Sequence, residues 1–495
     1  MEIIARKKEK QLLDTAYTSD QSELIALYGR RRVGKTFLIR NFFLEKDCTY
    51  FELVGQKNEN GEIATVSQQL SNFQYAWKKA FGEHIAKPKH WGKAFYLLKN
   101  KVDDISVTER KIVLFFDELP WLCSPNSRFY ENFDQAWNAC FERAGNIKVV
   151  VCGSASTWIL KRIIYSKAGL SRRITRKIHL HPFTLSETRE YLHCKHFDLS
   201  MESVAEIFMI LGGIPYYLDF LSPQKSIYQN IEDECFQLDG NLFGEYDIVF
   251  DSLFKNSEAY KRVLEIVAEK RQGCTQQEIH HKLNNTRSTP NGTLVKILKN
   301  LYECDFIQKR TPFFNEKKGT LYFVCDEFTV FYQKWIKNAP LAKETKDSVY
   351  WQSIVNSQQY RIWLGFCFEM LCYKHQSLIK IALGLHKIVA IPGIFYAYNK
   401  KTKKRSAQVD LLFDRADKTI TLCEIKYHQG EYKITQKDLQ SMRNKKEDLR
   451  NFLTAKKTYR NMNVAFITVY GVQKNSCFNE LQPEVVVLND LFRKI

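Results

Sequence analysis

The first 180 residues alternate apolar runs of strand length with helical patterns. The runs are Leu24–Tyr28, Tyr50–Leu53, Ile112–Phe116 and Lys148–Cys152. Continuous apolar runs separated by amphipathic helices predict a parallel sheet covered on both faces, an α/β class. Residues 181–248 turn helical, with Leu185–His193 and Glu202–Leu211 closed by Gly212-Gly213-Ile214-Pro215, a helix end and tight turn. Three further helices are predicted at Tyr260–Ala268, Gln276–Leu283 and Pro290–Leu301, then strands at Phe306–Lys309 and Thr320–Val324. Three helices followed by a hairpin predict a winged helix over 249–340. Residues 337–349 are polar and serve as a linker. A long helix at Trp351–His375 follows, then strands at Gln408–Phe413 and Thr419–Ile425, in a last domain spanning 341–495.

At 495 residues, the chain has room for about three domains at roughly 150 residues each. Hydrophobic residues make up 44% and charged residues 26%, which excludes a disordered or collagen-like chain. Lys and Arg number 74 against 55 Asp and Glu, a formal charge of +19 that favours polyanions, nucleic acid first. No apolar run approaches the roughly 18 residues of a membrane span, and no basic amphipathic helix suggests a membrane surface. The amino terminus has no signal-peptide core. The 13 cysteines are scattered without a CxxC pair, so we expect a reducing, cytoplasmic setting with neither disulfides nor zinc.

Gly29-Arg30-Arg31-Arg32-Val33-Gly34-Lys35-Thr36 fits GxxxxGK[ST] between an apolar strand and a helix, the context a phosphate loop needs. Its backbone amides would wrap the phosphates of ATP, Lys35 would neutralise β and γ oxygens, and Thr36 would reach Mg²⁺. The strand at Ile112–Phe116 delivers Asp117 and Glu118 to its carboxyl end. Asp117 is read as the second Mg²⁺ holder and Glu118 as the residue that polarises the attacking water. Ser154, after the strand at Val149–Cys152, is a candidate γ-phosphate sensor, and Arg173 a candidate finger toward a neighbouring copy in a homo-oligomer.

These segments, with FFDELPWL, VCGS and the Gly212–Leu218 turn, resemble the archaeal-type ATPase family, a relative of the AAA+ and STAND ATPases. The resemblance implies a P-loop ATPase core over 1–180, a helical lid over 181–248 and a winged helix over 249–340. The third predicted helix and wing carry Arg287, Lys296, Lys299, Lys317 and Lys318, candidate contacts for nucleic acid, DNA before RNA.

Near the carboxyl end, Glu424-Ile425-Lys426 closes an apolar strand, so Glu424 and Lys426 share a face. Asp410 lies in the preceding strand, and the turn between them predicts that Asp410 and Glu424 converge on a shared Mg²⁺. Glu369, on an apolar helix, is a third acid for the same site. The Lys400–Arg405 run is a candidate backbone-phosphate contact. This arrangement resembles the PD-(D/E)xK restriction-endonuclease fold, which implies that Asp410 and Glu424 hold metal and Lys426 orients water. Two functions follow: an ATP-regulated nuclease, or a STAND-like ATPase that binds nucleic acid or another partner through a catalytically silent nuclease-like domain.

Overall fold

Every residue of Ile112–Asp117 and Ile147–Gly153 is buried, as expected of central strands in a sheet with helices on both faces. The structure is a computed structural model and describes residues 2–59, 61–107, 110–124, 126–153, 163–164, 169–284, 292–313, 319–339, 350–398 and 405–494. The chain divides into two compact units, Met1–Pro182 with Ile214–Tyr216, and Phe183–Gly213 with Tyr217–Ile495.

In the first unit, β1 (Glu23–Tyr28), β2 (Thr49–Val54), β3 (Ile112–Asp117), β4 (Ile147–Gly153) and β5 (Arg176–His179) form one sheet in the order β2-β3-β4-β1-β5. All pairings are parallel. Successive side chains point to opposite faces, which splits the core in two. Leu24, Ala26, Leu114, Phe116, Val149 and Val151 pack on one side; Ile25, Leu27, Val113, Phe115, Val150 and Cys152 pack on the other. The edge strand β5 was not predicted, because Arg-Lys-Ile-His has one fully buried side chain and no apolar run.

In the second unit, helices at Leu185–Cys194, Met201–Leu211, Ile227–Phe236 and Glu245–Leu253 come first. Thr184 and Ser226 start two of them with reciprocal capping to Glu187 and Gln229. Helices Ser257–Glu269, Gln276–Asn284 and Gly292–Glu303 follow, with a sheet of β6 (Cys274–Thr275), β7 (Ile307–Arg310) and β8 (Leu321–Val324) in the order β6-β8-β7.

The helix predicted over Trp351–His375 is two helices, Tyr350–Val355 and Gln358–Lys374. Ser357 breaks it: its side chain accepts from Tyr360 N and caps the second helix, so the apolar pattern continues across a boundary it does not mark. Then come β9 (Ala390–Tyr398), β10 (Arg405–Arg415), β11 (Thr419–Lys426), helix Gln436–Ala455, β12 (Asn461–Thr468) and β13 (Glu484–Val487). The sheet order is β13-β12-β11-β10-β9, antiparallel from β9 to β11 and parallel from β11 to β13. Helix, three antiparallel strands, helix and parallel strand therefore follow one another. The edge of β9 is covered from within the unit: Phe313 N donates to Ile394 O at 2.8 Å, directly after β7. Among the described residues no helix is long and apolar enough to cross a membrane.

Candidate functional site

The loop after β1 turns so tightly that only glycine fits its first position. Gly29 has φ 154°, and a Cβ there would meet the Leu180 carbonyl oxygen at 2.2 Å. Gly34, at φ 88°, caps the helix Lys35–Leu44, whose amino end faces the loop. Arg32 also adopts left-handed backbone (φ 74°) and lies 3.8 Å over the Tyr216 ring. The buried Lys35 ammonium donates to Gly29 O at 3.1 Å and Arg30 O at 2.8 Å. It is thus folded onto the loop it would leave for phosphate oxygens.

Thr36 Oγ1 donates to Asp117 Oδ2 at 2.6 Å, and Asp117 Oδ1 accepts from Glu118 N at 2.9 Å. A hydroxyl and a buried carboxylate that close together fit the hard-oxygen set of Mg²⁺. Glu118 sits at φ 46°, a left-handed position that turns its backbone out of the strand direction. Gly55, after β2, packs under this turn; a Cβ there would meet Glu118 O at 2.6 Å.

Two residues at this site are not among the predicted site residues. Arg6 donates through Nη1 to His181 O (2.7 Å) and through Nη2 to Val33 O (3.0 Å), bracing the phosphate loop from the chain's start. Lys57 stands near Glu118 and Arg31; burial and Arg31 push its ammonium pKa down, and Glu118 opposes them. Arg173 is paired with Glu142 at 2.5 Å within its own unit. Ser154 lies outside the described residues.

In the second unit, β10 and β11 pair with Leu411 opposite Cys423 and Leu412 opposite Leu422. Asp410 and Glu424 are the next residues on their strands beyond the last pair, Leu411–Cys423. A shift in the β9–β10 register between Val409 and Leu412 marks a bulge across Asp410 and Leu411, the kind of irregularity that re-aims a strand side chain. Gln408 Nε2 donates to Asp410 Oδ1 at 2.5 Å. Glu424 meets two ammoniums, Lys426 at 2.9 Å and Lys445, from helix Gln436–Ala455, at 2.7 Å. Lys426 also lies 3.8 Å from Asp438.

Burial alone would raise the Glu424 pKa; Lys445 and Lys426 more than cancel that and hold the carboxyl below its ordinary range. At Glu369 the opposing cations, Arg310 and Lys426, do not outweigh burial and the neighbouring acids. Burial, then Asp410 and Glu424, push its pKa up to about 8. Asp410 and Glu424 thus act electrostatically on Glu369. Their donor chemistry fits a hard divalent cation, although among the described residues their oxygens do not close into one set within 4.8 Å. Lys445 carried no sequence signal, since it arrives from a helix whose exposed face is generally charged.

On helix Gly292–Glu303, Lys296 and Lys299 are exposed beside Val295 and Tyr302, and Lys309 lies 4.5 Å over the Tyr302 ring. Lys299 has a loose partner in Glu303 at 3.7 Å. Arg287, Lys317, Lys318 and residues 400–404 lie outside the described residues, as does most of the 337–349 linker.

A family model of ATPase domains found predominantly in Archaea matches residues 4–221. An uncharacterized protein of Methanocaldococcus jannaschii is 25% identical over 429 residues, 86% of this chain and 87% of that protein. An uncharacterized ATP-binding protein of the same organism is 46% identical over 43 residues, 9% of this chain and 73% of that protein. A solved Walker-type ATPase of Pyrococcus abyssi, 18% identical, superposes with a TM-score of 0.50 and covers 67% of this chain and 96% of its own. That last likeness concerns the fold.

Proposed function

We propose that residues 4–221 work as an archaeal-type P-loop ATPase domain, and that the chain is an ATP-driven switch whose second unit binds nucleic acid and cleaves it at Glu369, Asp410, Glu424 and Lys426. ATP binding and hydrolysis belong to the first unit. There the Gly29–Gly34 amides and Lys35 hold the phosphates, Thr36 and Asp117 hold Mg²⁺, and Glu118 orients the attacking water.

The nuclease reading rests chiefly on one observation. A β10–β11 hairpin brings Asp410 and Glu424 to the same end of adjacent strands, each one residue beyond the Leu411–Cys423 pair, with Lys426 on the face of Glu424 and paired to it. The element order around the hairpin and the bulge across Asp410 and Leu411 support it. Bound divalent metal supplies a water of lowered pKa and stabilises charge on the scissile phosphate. Asp410 and Glu424 are its holders, with Glu369 assisting from the helix. Lys426 would orient the attacking water and share the negative charge that develops on the phosphate. Lys296, Lys299 and the candidate wing residues Lys317 and Lys318 hold the backbone, with DNA preferred over RNA as substrate, and a homo-oligomer is the expected assembly.

Binding without cleavage has one observation in its favour: both Glu424 oxygens are already held by lysines. Incubation of wild type and Lys426→Ala with plasmid and with total RNA, with Mg²⁺ or Mn²⁺ and with or without ATP, separates the two. The nuclease reading expects cleavage by wild type alone. No cleavage by either, in any nucleotide state, supports the silent domain.

A further inference from the structure

β7 ends at Arg310, whose side chain reaches from the three-stranded sheet to the helix that carries Glu369. Its guanidinium is sandwiched between two rings, 3.6 Å from the Tyr373 centroid and 4.2 Å from that of Phe323. Tyr373 stands four residues beyond Glu369 on the same helix, one turn away. Only 6% of Arg310 is exposed. Its guanidinium is pushed down by burial and drawn back up by Tyr373, Asp410 and Glu369. The amide orientation that satisfies both groups puts the Gln308 oxygen 2.6 Å from its Nη2.

The hairpin is seated, not merely adjacent. Phe313 bonds to Ile394 on the β9 edge, and Leu321 and Phe323 form an apolar cluster with Ile394, flanked by Tyr373 and Tyr396. A buried arginine needs counter-charge, because desolvating a lone cation is costly. Asp410 and Glu369 are acids whose negative charge acts on it. Three carboxylates, Glu369, Asp410 and Glu424, thus face three cations, Lys426, Lys445 and Arg310. Each of these cations opposes the entry of a divalent ion.

We propose that Arg310 is a positioning residue of the carboxylate site, a resident counter-cation supplied by the β7–β8 hairpin that holds down the site's affinity for divalent metal. This rests on the metal-binding reading of the carboxylates. Through-space repulsion between a fixed cation and an entering divalent ion, in the effective dielectric of a partly buried site, amounts to about tenfold or more in affinity.

The test is Mn²⁺ binding to the full-length protein without nucleotide, by isothermal titration and by the electron-paramagnetic signal of free Mn²⁺. The variants are Arg310→Met, Arg310→Lys and Glu424→Gln. Methionine keeps apolar bulk between the two rings and removes the charge; lysine restores the charge, and thermal melts check folding. Tighter binding by about tenfold in Arg310→Met, with Arg310→Lys near wild type and Glu424→Gln greatly weakened, supports the proposal. Equal affinity in wild type and Arg310→Met, with loss in Glu424→Gln, overturns it and leaves the metal site standing. Mn²⁺ binding that Glu424→Gln does not alter, or none in any variant, overturns both.

Discussion

The hydroxyl of Thr36 donates to Asp117 across 81 residues of sequence at 2.6 Å, joining the start of one helix to the end of a buried strand. That bond places a phosphate loop and an acid-tipped strand in one site. Lys35→Ala removes the only lysine in the loop, and hydrogen bonds to charged groups contribute about 1.5–3 kcal/mol each. ATP affinity is expected to fall by roughly tenfold to a hundredfold or more, measured by titration calorimetry. Glu118→Gln keeps Asp117 and Thr36 in place, so binding persists while hydrolysis is lost. Wild-type turnover in Glu118→Gln contradicts the role given to that side chain.

The partly exposed Lys374 pairs with the buried Glu327 inside the second unit, with Nζ 2.6 and 2.7 Å from the two carboxylate oxygens. Removing one partner strands a buried charge, which costs about 3–5 kcal/mol. Lys374→Met is expected to lower the urea midpoint strongly. The double variant Lys374→Met/Glu327→Met should recover most of that loss, because no uncompensated charge remains. Equal destabilisation by single and double variants would show that packing, not charge, dominates there.

His375 gives the second unit an acid limit. Its Nε2 accepts from Leu185 N at 3.2 Å while Nδ1 faces Leu371 O at 2.8 Å, an arrangement only the neutral ring satisfies. Burial, with Lys374 adding to it, pushes its pKa down to about 4 despite the bond to Leu371. The unfolded histidine titrates near 6.5, so between those values the unfolded state binds the extra proton. Its contribution is therefore present above pH 6.5 and lost as pH falls toward 4, on the order of 3 kcal/mol in all. Urea titrations from pH 7.5 to 4.5 are expected to show this slope in wild type and a shallower one in His375→Gln. Parallel slopes would remove His375 from the account.

Lys296 and Lys299 lie on the exposed face of helix Gly292–Glu303 beside Tyr302. Each lysine that neutralises a phosphate contributes about one unit to the log–log salt slope of nucleic-acid affinity. Lys296→Gln/Lys299→Gln is expected to lower that slope by about two and to weaken binding to all sequences alike. An unchanged slope assigns these lysines to the solvated face of an amphipathic helix.

The parts legible in the sequence are those that neighbouring residues define. The phosphate loop, the strands ending at Tyr28 and Asp117, and the β10–β11 hairpin each combine a short motif with an apolar run. The parts that were not legible join distant elements. Arg6 braces Val33, Lys445 reaches Glu424 from another helix, and Arg310 enters from a different sheet. None belongs to a local pattern, since a charged residue on a helix or strand looks the same whether it meets water or a buried acid. The break at Ser357 was hidden for a related reason: both flanking segments are apolar, and one cap decides where the second helix begins.

The central claim is that the carboxylates of the second unit cut nucleic acid under an ATP-bound switch. Glu424→Gln keeps the shape of that side chain, leaves the phosphate loop untouched and removes the charge held by Lys426 and Lys445. The decisive measurement is cleavage of end-labelled DNA and RNA by wild type and Glu424→Gln, with ATP and Mg²⁺ or Mn²⁺, alongside ATP hydrolysis in the same samples. Cleavage by wild type and its loss in Glu424→Gln, with ATP hydrolysis retained in both, is the predicted result. Equal cleavage by the two proteins, or none by wild type in any nucleotide state, contradicts the claim.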